Sequence, residues 1–336
     1  MPDAPLAVRV ASFTSFRTLP IFAEKICNEQ NSPAPAFASA MMEAFPLVAA
    51  DDRQPTSFFF DDDPPTYKET SRAALSLLLK NMAARPELQG ITITDNFSSE
   101  DLPEGTIAYH RIWGFITADC RWYFSCKQFE YDLLEAEANP AITCHLLHVN
   151  SPGGEAWYLD RLGETMRSLN KPVVTLVERY DCSACYYITC HSSFIASLTS
   201  NDTIGCIGTM LEAFNYDGWF ERMGIRRIVA RASKSDLKNK KSEELLKGKT
   251  EQYVKEYLDP LNEQFLSAVL AGRPQLSGLP EDDPVFRGET FSTPQAIEKG
   301  LVDASMTFIE VIAKAVELGN GYAGLEKIKK SALNYL

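Results

Sequence analysis

The alternation of buried strands and amphipathic helices after Gly105 most constrains how this chain can fold. Short apolar runs, typical of buried strands, are separated by stretches with apolar residues at helical spacing. The predicted strands are residues 106–117, 141–149 and 172–178, and the predicted helices are residues 125–138 and 155–169. Strands that are joined through helices cross over and pair in parallel, with the helices on the faces of the sheet. The sequence therefore predicts an α/β fold on a mainly parallel sheet.

The charge balance argues against general binding to nucleic acid or to anionic membranes. The 336 residues include 33 basic and 45 acidic side chains, so the net charge is -12. A chain with this charge is repelled by phosphate groups. No run of eighteen apolar residues is present, the start of the chain lacks the pattern of a secretory signal, and the eight cysteines are compatible with reduced thiols. We expect a cytoplasmic protein without a membrane anchor.

The first hundred residues carry no chemical motif. Helix-like stretches at residues 22–27, 37–45 and 70–82 are interrupted by an acidic and proline-rich segment at residues 51–65. We interpret residues 1–104 as an accessory layer or arm that packs on the main domain or on a neighbouring subunit.

A pair of glycines follows the predicted strand at residues 141–149. The sequence Asn-Ser-Pro-Gly-Gly at positions 150–154 leads directly into an amphipathic helix. Ligands of open parallel sheets bind at the carboxyl ends of the strands, where glycines let backbone amides approach a ligand closely. Gly153 and Gly154 could therefore form an oxyanion hole. An ordinary strand-to-helix turn explains the same residues equally well.

Ser183 follows the next strand, at the start of another helical run. Its hydroxyl could act as a nucleophile at the same sheet edge, although a serine in this position is more often only a helix N-cap. The four histidines are poor candidates for its base. His110, His145 and His148 fall within predicted strands, and His191 is expected two turns further along the helix that begins near Ser183.

A lysine can replace histidine as the base when burial lowers its pKa toward neutrality. Lys234 and Lys238 are the candidates, and they follow a strand-like stretch at residues 226–232. Most basic side chains of this segment must be solvated, so a surface charge is the simpler interpretation of either lysine.

In the order of these segments the chain resembles the signal peptide peptidase A (protease IV) family of Ser-Lys serine peptidases, which includes the phage prohead proteases. The similarity extends over residues 105–311 and includes residues 150–154, 183–188, 205–209, 288–291 and 296–303. It implies a ClpP/crotonase-like fold, with Ser183 as nucleophile, Gly153 and Gly154 as oxyanion-hole residues, and Lys238 as base, with Lys234 as the alternative. It implies neither a metal nor a cofactor.

The resemblance also suggests the biological context. Ala184 and Cys185 stand where the family commonly has two glycines after the nucleophile, which predicts slow or selective cleavage. The segment at residues 258–265, followed by Arg273 and Pro274, looks like the phage-type members, which favours capsid or scaffold proteins as substrates. Single-domain relatives assemble into rings, so the resemblance also implies a homo-oligomer. The implied organisation is an accessory region at 1–104, a peptidase domain at 105–311 and a helical tail at 312–336.

Three alternatives remain open at this stage. A crotonase-like acyl-CoA enzyme would use the same fold with Glu155 as its catalytic acid. Cys182 and Cys185, with Cys190 and His191 close behind, could suggest a zinc or redox site, although their apolar surroundings disfavour a metal. A catalytically degenerate family member would serve only as an assembly component.

Overall fold

The computed structural model describes residues 65–333, and a mainly parallel sheet lies at the centre of this part of the chain. The strands are β1 (Ile93–Thr94), β2 (Thr106–Trp113), β3 (Ile116–Thr117), β4 (Phe124–Ser125), β5 (Ile142–Ser151), β6 (Val173–Cys182), β7 (Phe194–Ser197), β8 (Thr203–Gly205), β9 (Thr290–Ser292) and β10 (Ala304–Ser305). The main sheet has the order β1-β2-β5-β6-β7-β10. β8 pairs in parallel with the end of β6 and in antiparallel orientation with β9. β3 and β4 pair with each other in a separate two-stranded sheet.

The described residues form ten α-helices, several of which cover the two faces of the main sheet. They are α1 (Tyr67–Ala83), α2 (Cys126–Ala138), α3 (Leu159–Ser168), α4 (Ala184–Thr189), α5 (Asp217–Arg222), α6 (Lys240–Leu246), α7 (Glu251–Tyr253), α8 (Asp259–Gly272), α9 (Thr293–Lys299) and α10 (Phe308–Leu333). The predicted α/β fold, with a parallel sheet and flanking helices, is confirmed.

The core consists of two apolar layers, one on each face of the sheet. Along β5, Leu147 and Val149 point into the layer that contains α4, whereas Cys144 and Leu146 point into the layer that contains α10. Successive residues of a strand face opposite sides, so a strand that is covered on both faces is continuously apolar. This is why the run at residues 141–149 could be recognised as a buried strand.

Local sequence also sets several element boundaries. Thr66 caps α1 in a reciprocal arrangement with Glu69, which fixes the start of this helix close to the predicted residue 70. The helix predicted from residue 155 begins only at Leu159, because Tyr158 has a left-handed backbone with φ 73°. Gly319 of α10 lies so close to Thr143 that a Cβ atom would be 2.7 Å from the hydroxyl oxygen. The helix therefore packs directly on β5.

The structure also bears on the predicted domain organisation. Leu75 of α1 and Ile93 of β1 share an apolar cluster with Val311 and Ala315 of α10. Residues on both sides of positions 104 and 311 thus contribute to one core layer, while the division into three regions stays a prediction. The helices predicted at residues 22–27 and 37–45 lie outside the described residues.

One predicted element is wrong. Residues 226–232 were expected to be strand-like, but they form no strand and follow the surface between α5 and α6. Ile228, at the centre of this stretch, is 89% exposed. Its β-branched residues have the propensity for a strand, but propensity alone does not form one without a neighbouring strand and a buried face.

Candidate active site

Ser183 lies at the turn between β6 and α4 in a conformation that few serines adopt. Its φ is 55° and its ψ is -121°, and the side chain is 2% exposed. The backbone is held on both sides, because the Ser183 amide donates to the Gly205 carbonyl at 2.8 Å and the Ser183 carbonyl accepts from the Tyr187 amide at 2.9 Å. Such backbone conformations cost about 1–3 kcal/mol and persist where the surrounding structure imposes them.

Ser183 occupies the N-cap position, as expected from the sequence, but its hydroxyl does not cap the helix. A capping serine accepts a hydrogen bond from an amide in the first turn, and no such bond is present here. The Ser183 Oγ atom makes no other hydrogen bond with the residues that the structure describes. The backbone of Ser183 is thus held in place while its hydroxyl has no structural hydrogen bond, which is compatible with a nucleophile.

The Gly153–Gly154 turn is brought beside this segment by strand pairing. Ser151, the last residue of β5, is in register with Asp181 of β6. Gly153 has a φ of 103°, which favours glycine. A Cβ atom on Gly154 would lie 2.0 Å from the Ile116 carbonyl oxygen, so only glycine fits.

The two glycine amides differ in their hydrogen bonds. The Gly153 amide donates to Ser151 Oγ at 3.1 Å and is therefore occupied. The Gly154 amide has no acceptor among residues 65–333, and the Ala184 amide is the first of α4, where amides lack partners within the helix. Gly154 is the better placed of the two predicted oxyanion donors. Ala184 is a further candidate that the sequence analysis did not single out, although its place directly after Ser183 was a usable signal.

A buried carboxyl group near Ser183 was also missed. Asp181 is fully buried, its Oδ2 atom accepts from Thr189 Oγ1 at 2.7 Å, and its Oδ1 atom has no partner within the described chain. Burial raises the pKa of Asp181 to about 6, against the opposing effect of Thr189 and the nearby Cys185 thiol. Burial and this carboxyl also raise the pKa of Cys185 well above its ordinary value. Cys185 is therefore a neutral thiol.

The structure does not bring either predicted lysine to Ser183. Lys234 and Lys238 are both exposed, and neither ammonium group makes a hydrogen bond with Ser183. The Lys238 carbonyl accepts from Arg231 Nε at 2.7 Å, and Arg231 also contacts Glu243 at the start of the next helix. The choice between the two lysines stays a prediction.

No histidine is bonded to Ser183 in the described residues either. His110, His145 and His148 are buried in the sheet and hydrogen-bonded to other groups. The sequence predicted His191 on the helix that begins near Ser183. Helix α4 ends at Thr189, however, so His191 lies just beyond it. Burial and the neighbouring Arg167 lower the pKa of His191 to about 4, which leaves this imidazole neutral.

The groups that the alternative interpretations need are engaged elsewhere. The Glu155 carboxylate accepts from the Ala118 amide at 3.1 Å, which fixes it against the loop before β4. Cys182 Sγ donates to the Thr203 carbonyl oxygen at 3.3 Å. Residues 65–333 contain no group of three or more His, Cys, Asp or Glu side chains arranged for a metal ion. Among their helices, none is long and apolar enough to cross a bilayer.

Comparison with known proteins places these segments in context. Residues 165–320, which include Ser183 and both lysines, match the family model of peptidase family S49. A protein of Enterococcus faecium named as signal peptide peptidase SppA is 26% identical over 187 residues, which are 54% of this chain and 53% of that protein. A protein of Methanocaldococcus jannaschii named as a protease is 28% identical over 212 residues, 60% of this chain and 62% of that protein.

Protease 4 of Haemophilus influenzae is 26% identical over 191 residues, which are 56% of this chain and 30% of that protein. The matched segments thus span between 30% and 62% of the relatives' lengths. Among solved structures, a mutant of the 1510-N membrane-bound stomatin-specific protease has a TM-score of 0.42 at 15% identity, covering 64% of this chain and 86% of its own. An enoyl-CoA hydratase from Shewanella pealeana has a TM-score of 0.35 at 12% identity, covering 63% and 70%. The chemistry of the site therefore depends on this chain's own residues.

Proposed function

We propose that the chain is a serine endopeptidase with Ser183 as its nucleophile, and the match of residues 165–320 to the model of peptidase family S49 supports this proposal. The observation that carries the proposal is the Ser183 hydroxyl, which is held on a strained turn at a helix start and forms no capping hydrogen bond. Strain of this kind is concentrated at functional sites.

The reaction would follow the general course of acyl transfer. An unprotonated lysine takes the proton of Ser183 Oγ while the oxygen attacks the carbonyl carbon of the scissile peptide bond. The Gly154 amide, with Gly153 or Ala184 beside it, donates to the oxyanion of the tetrahedral intermediate. The intermediate collapses as the lysine returns the proton to the leaving amine. Water then hydrolyses the acyl-enzyme and regenerates the serine.

Lys238 is the proposed base and Lys234 is its alternative. Both lysines are exposed and neither contacts Ser183, so the segment at residues 226–240 must move toward the serine before either amine can accept its proton. This segment either closes over Ser183 in its own chain or is supplied by a second copy. Exposed apolar side chains such as Ile228 and Leu237 favour the second arrangement, because they lie on the same segment as both lysines. The proposed assembly is accordingly a homo-oligomer.

The substrate class is a protein or peptide in extended conformation, which pairs with strand edges next to the site. The similarity of residues 258–265 to the phage-type members favours capsid or scaffold proteins as the substrates. A cytoplasmic or prohead-associated location belongs to the same proposal.

Peptide cleavage by matched variants tests the proposal. Ser183→Ala should abolish the release of fragments from an unstructured protein substrate, whereas Ser192→Ala, which alters another buried serine, should retain it. Loss of the base should lower kcat by roughly 10²–10⁴-fold. We expect this loss for Lys238→Ala, with Lys234→Ala as the alternative and Lys240→Ala as the control. Equal cleavage by wild type and Ser183→Ala would contradict the assignment.

A further inference from the structure

A cavity whose lining does not include Ser183 lies at the edge of β2. It has a volume of about 350 Å³ and is bounded by α1, the start of α2 and the loop at residues 119–125. β1 pairs with β2 only at Ile107 and Ala108, so it does not cover the later residues of this strand. There the Tyr67 hydroxyl donates to the Arg111 carbonyl at 2.5 Å and accepts from the Trp113 amide at 3.0 Å. We call this cavity the His110 pocket.

Aromatic rings form most of the wall of the His110 pocket. They belong to Tyr67, Phe97, Tyr109, Tyr123, Phe124 and Phe129. The charged side chains of the lining balance one another, with Lys68, Arg111 and Arg121 against Asp95, Asp119 and Asp132. The volume falls within the range of small-molecule sites, which are mostly apolar with a few polar groups that fix orientation. A pocket with this lining favours a neutral ligand that carries a ring.

His110 supplies a polar group in this apolar wall. It is 4% exposed, and its ring stacks on Phe97 with centroids 4.7 Å apart. Its Nε2 atom is 3.1 Å from His145 Nδ1, and His145 Nε2 is 3.2 Å from Glu137 Oε2. Partial burial acts to raise the pKa of Glu137, but hydrogen bonds from His145 and Asn170 bring it down to about 2. Glu137 is therefore an ionised group that only accepts hydrogen bonds.

This chain of hydrogen bonds fixes the protons on both imidazoles. Since Glu137 accepts, His145 must donate through Nε2 and accept through Nδ1. His110 must then donate through Nε2, which leaves a lone pair on its Nδ1 atom. Burial and the neighbouring His145 keep the pKa of His110 well below its ordinary value, so the ring stays neutral. His110 Nδ1 makes no hydrogen bond with any residue that the structure describes.

The free lone pair of His110 selects for a hydrogen-bond donor on the ligand. A hydroxyl group on the ring can donate to Nδ1, whereas a purely apolar ring would leave this nitrogen unpaired, which is costly. The Ser71 hydroxyl, one turn after Tyr67 on α1, lines the same wall beside the Tyr67 hydroxyl.

We propose that the His110 pocket binds a neutral aromatic ring that carries a hydroxyl group, the chemistry of a tyrosyl side chain, with this hydroxyl donating to His110 Nδ1. The site is separate from the proposed peptidase site and does not depend on it, because its lining includes neither Ser183 nor the Gly153–Gly154 turn.

Two probes that differ by one oxygen atom test the proposal on the full chain. N-acetyl-tyrosinamide should bind saturably in a calorimetric titration, and N-acetyl-phenylalaninamide should bind about tenfold more weakly, the effect of one buried hydrogen bond. In His110→Phe the two probes should bind equally. His191→Phe, which changes a largely buried histidine outside the pocket, should keep the tenfold difference.

A nitrogen NMR titration of the wild-type protein gives a readout that does not depend on a variant folding. The signal of the unprotonated His110 Nδ1 should move on addition of N-acetyl-tyrosinamide, as expected for a lone pair that accepts a hydrogen bond. Stronger binding of a tyrosine-containing peptide than of p-cresol would assign the occupant to a protein chain, and the reverse to a small phenol. Equal affinity of wild type for the two amides, absence of saturable binding at millimolar concentration, or an unmoved Nδ1 signal would overturn the proposal.

Discussion

At the scale of single residues, the strained backbone of Ser183 and the buried carboxyl of Asp181 are the two features that distinguish the candidate site. The small residues after β6 placed Ser183 at a helix start, which the structure bears out. The positive φ angle depends on contacts with Gly205 and Tyr187, which lie on other turns of the chain. Asp181 could not be recognised as buried, because an acidic residue near a strand end ordinarily faces water.

Asp181 should make the stability of the protein depend on pH. Its pKa rises from the ordinary 3.8 to about 6 on folding, so the folded state holds this proton more tightly. The cost of keeping an ionised carboxylate buried in the folded state is absent below pH 3.8, grows as the pH rises to about 6 and is complete above pH 6. Asp181→Asn should therefore be more stable than wild type by about 3 kcal/mol at pH 8 and equally stable at pH 3.5.

Urea denaturation at the two pH values measures this difference. Ser192→Ala, which removes a buried hydroxyl and no ionisable group, should change the stability equally at both pH values. If Asp181→Asn raised the free energy of unfolding by the same amount at both pH values, the assignment of the buried charge would be contradicted.

Gly154→Ala should destabilise the fold. The added methyl group would overlap the Ile116 backbone, and overpacking against a fixed backbone costs about 3 kcal/mol. Gly218→Ala is the matched control, since a Cβ atom there meets no atom within 4 Å. Denaturation midpoints should fall only for Gly154→Ala, and equal midpoints for the two variants would show that the close approach at Ile116 is not rigid.

At the scale of elements, the buried strands and helices were predictable because their signal is local. Continuous apolar runs marked β5 and β6, and helical spacing marked α1 and α2. Residues 226–232 have an equally local signal, yet they form no strand. Whether an apolar run becomes a strand depends on a partner edge, which the run itself does not encode.

The exposed segment around residues 226–240 should be the first part of residues 65–333 to be cut by trypsin. Its backbone is exposed and Arg226, Lys234 and Lys238 are accessible, whereas Lys171 and Arg273 are buried. Brief digestion followed by intact-mass analysis should give fragments with new ends within this segment before any cut elsewhere in residues 65–333. First cleavage at Lys171 or Arg273 would contradict the described burial.

At the scale of the whole molecule, the fold class and the similarity to peptidase family S49 could both be inferred from the order of the segments. The site could not be completed in the same way, because the lysines lie on a segment whose position relative to Ser183 is not fixed by strand pairing. The sequence can identify the residues of such a site, but whether they come into contact depends on loop closure or on assembly.

The proposed homo-oligomer makes a prediction at this scale. Leu237, which is 70% exposed, and Ile228 should be covered by a second copy of the chain. The double variant Ile228→Asp, Leu237→Asp should lower the mass measured by light scattering after size exclusion, whereas Leu77→Asp, at another exposed apolar position, should not. A wild-type protein that is monomeric at all concentrations would contradict the proposal.

Mass analysis after treatment with a fluorophosphonate tests the central claim most directly, since this reagent forms a covalent bond with an activated serine. We expect one adduct per chain, located on Ser183 by peptide mapping, and none in Ser183→Ala. An unmodified wild-type protein, or an adduct that maps to another serine and persists in Ser183→Ala, would contradict it.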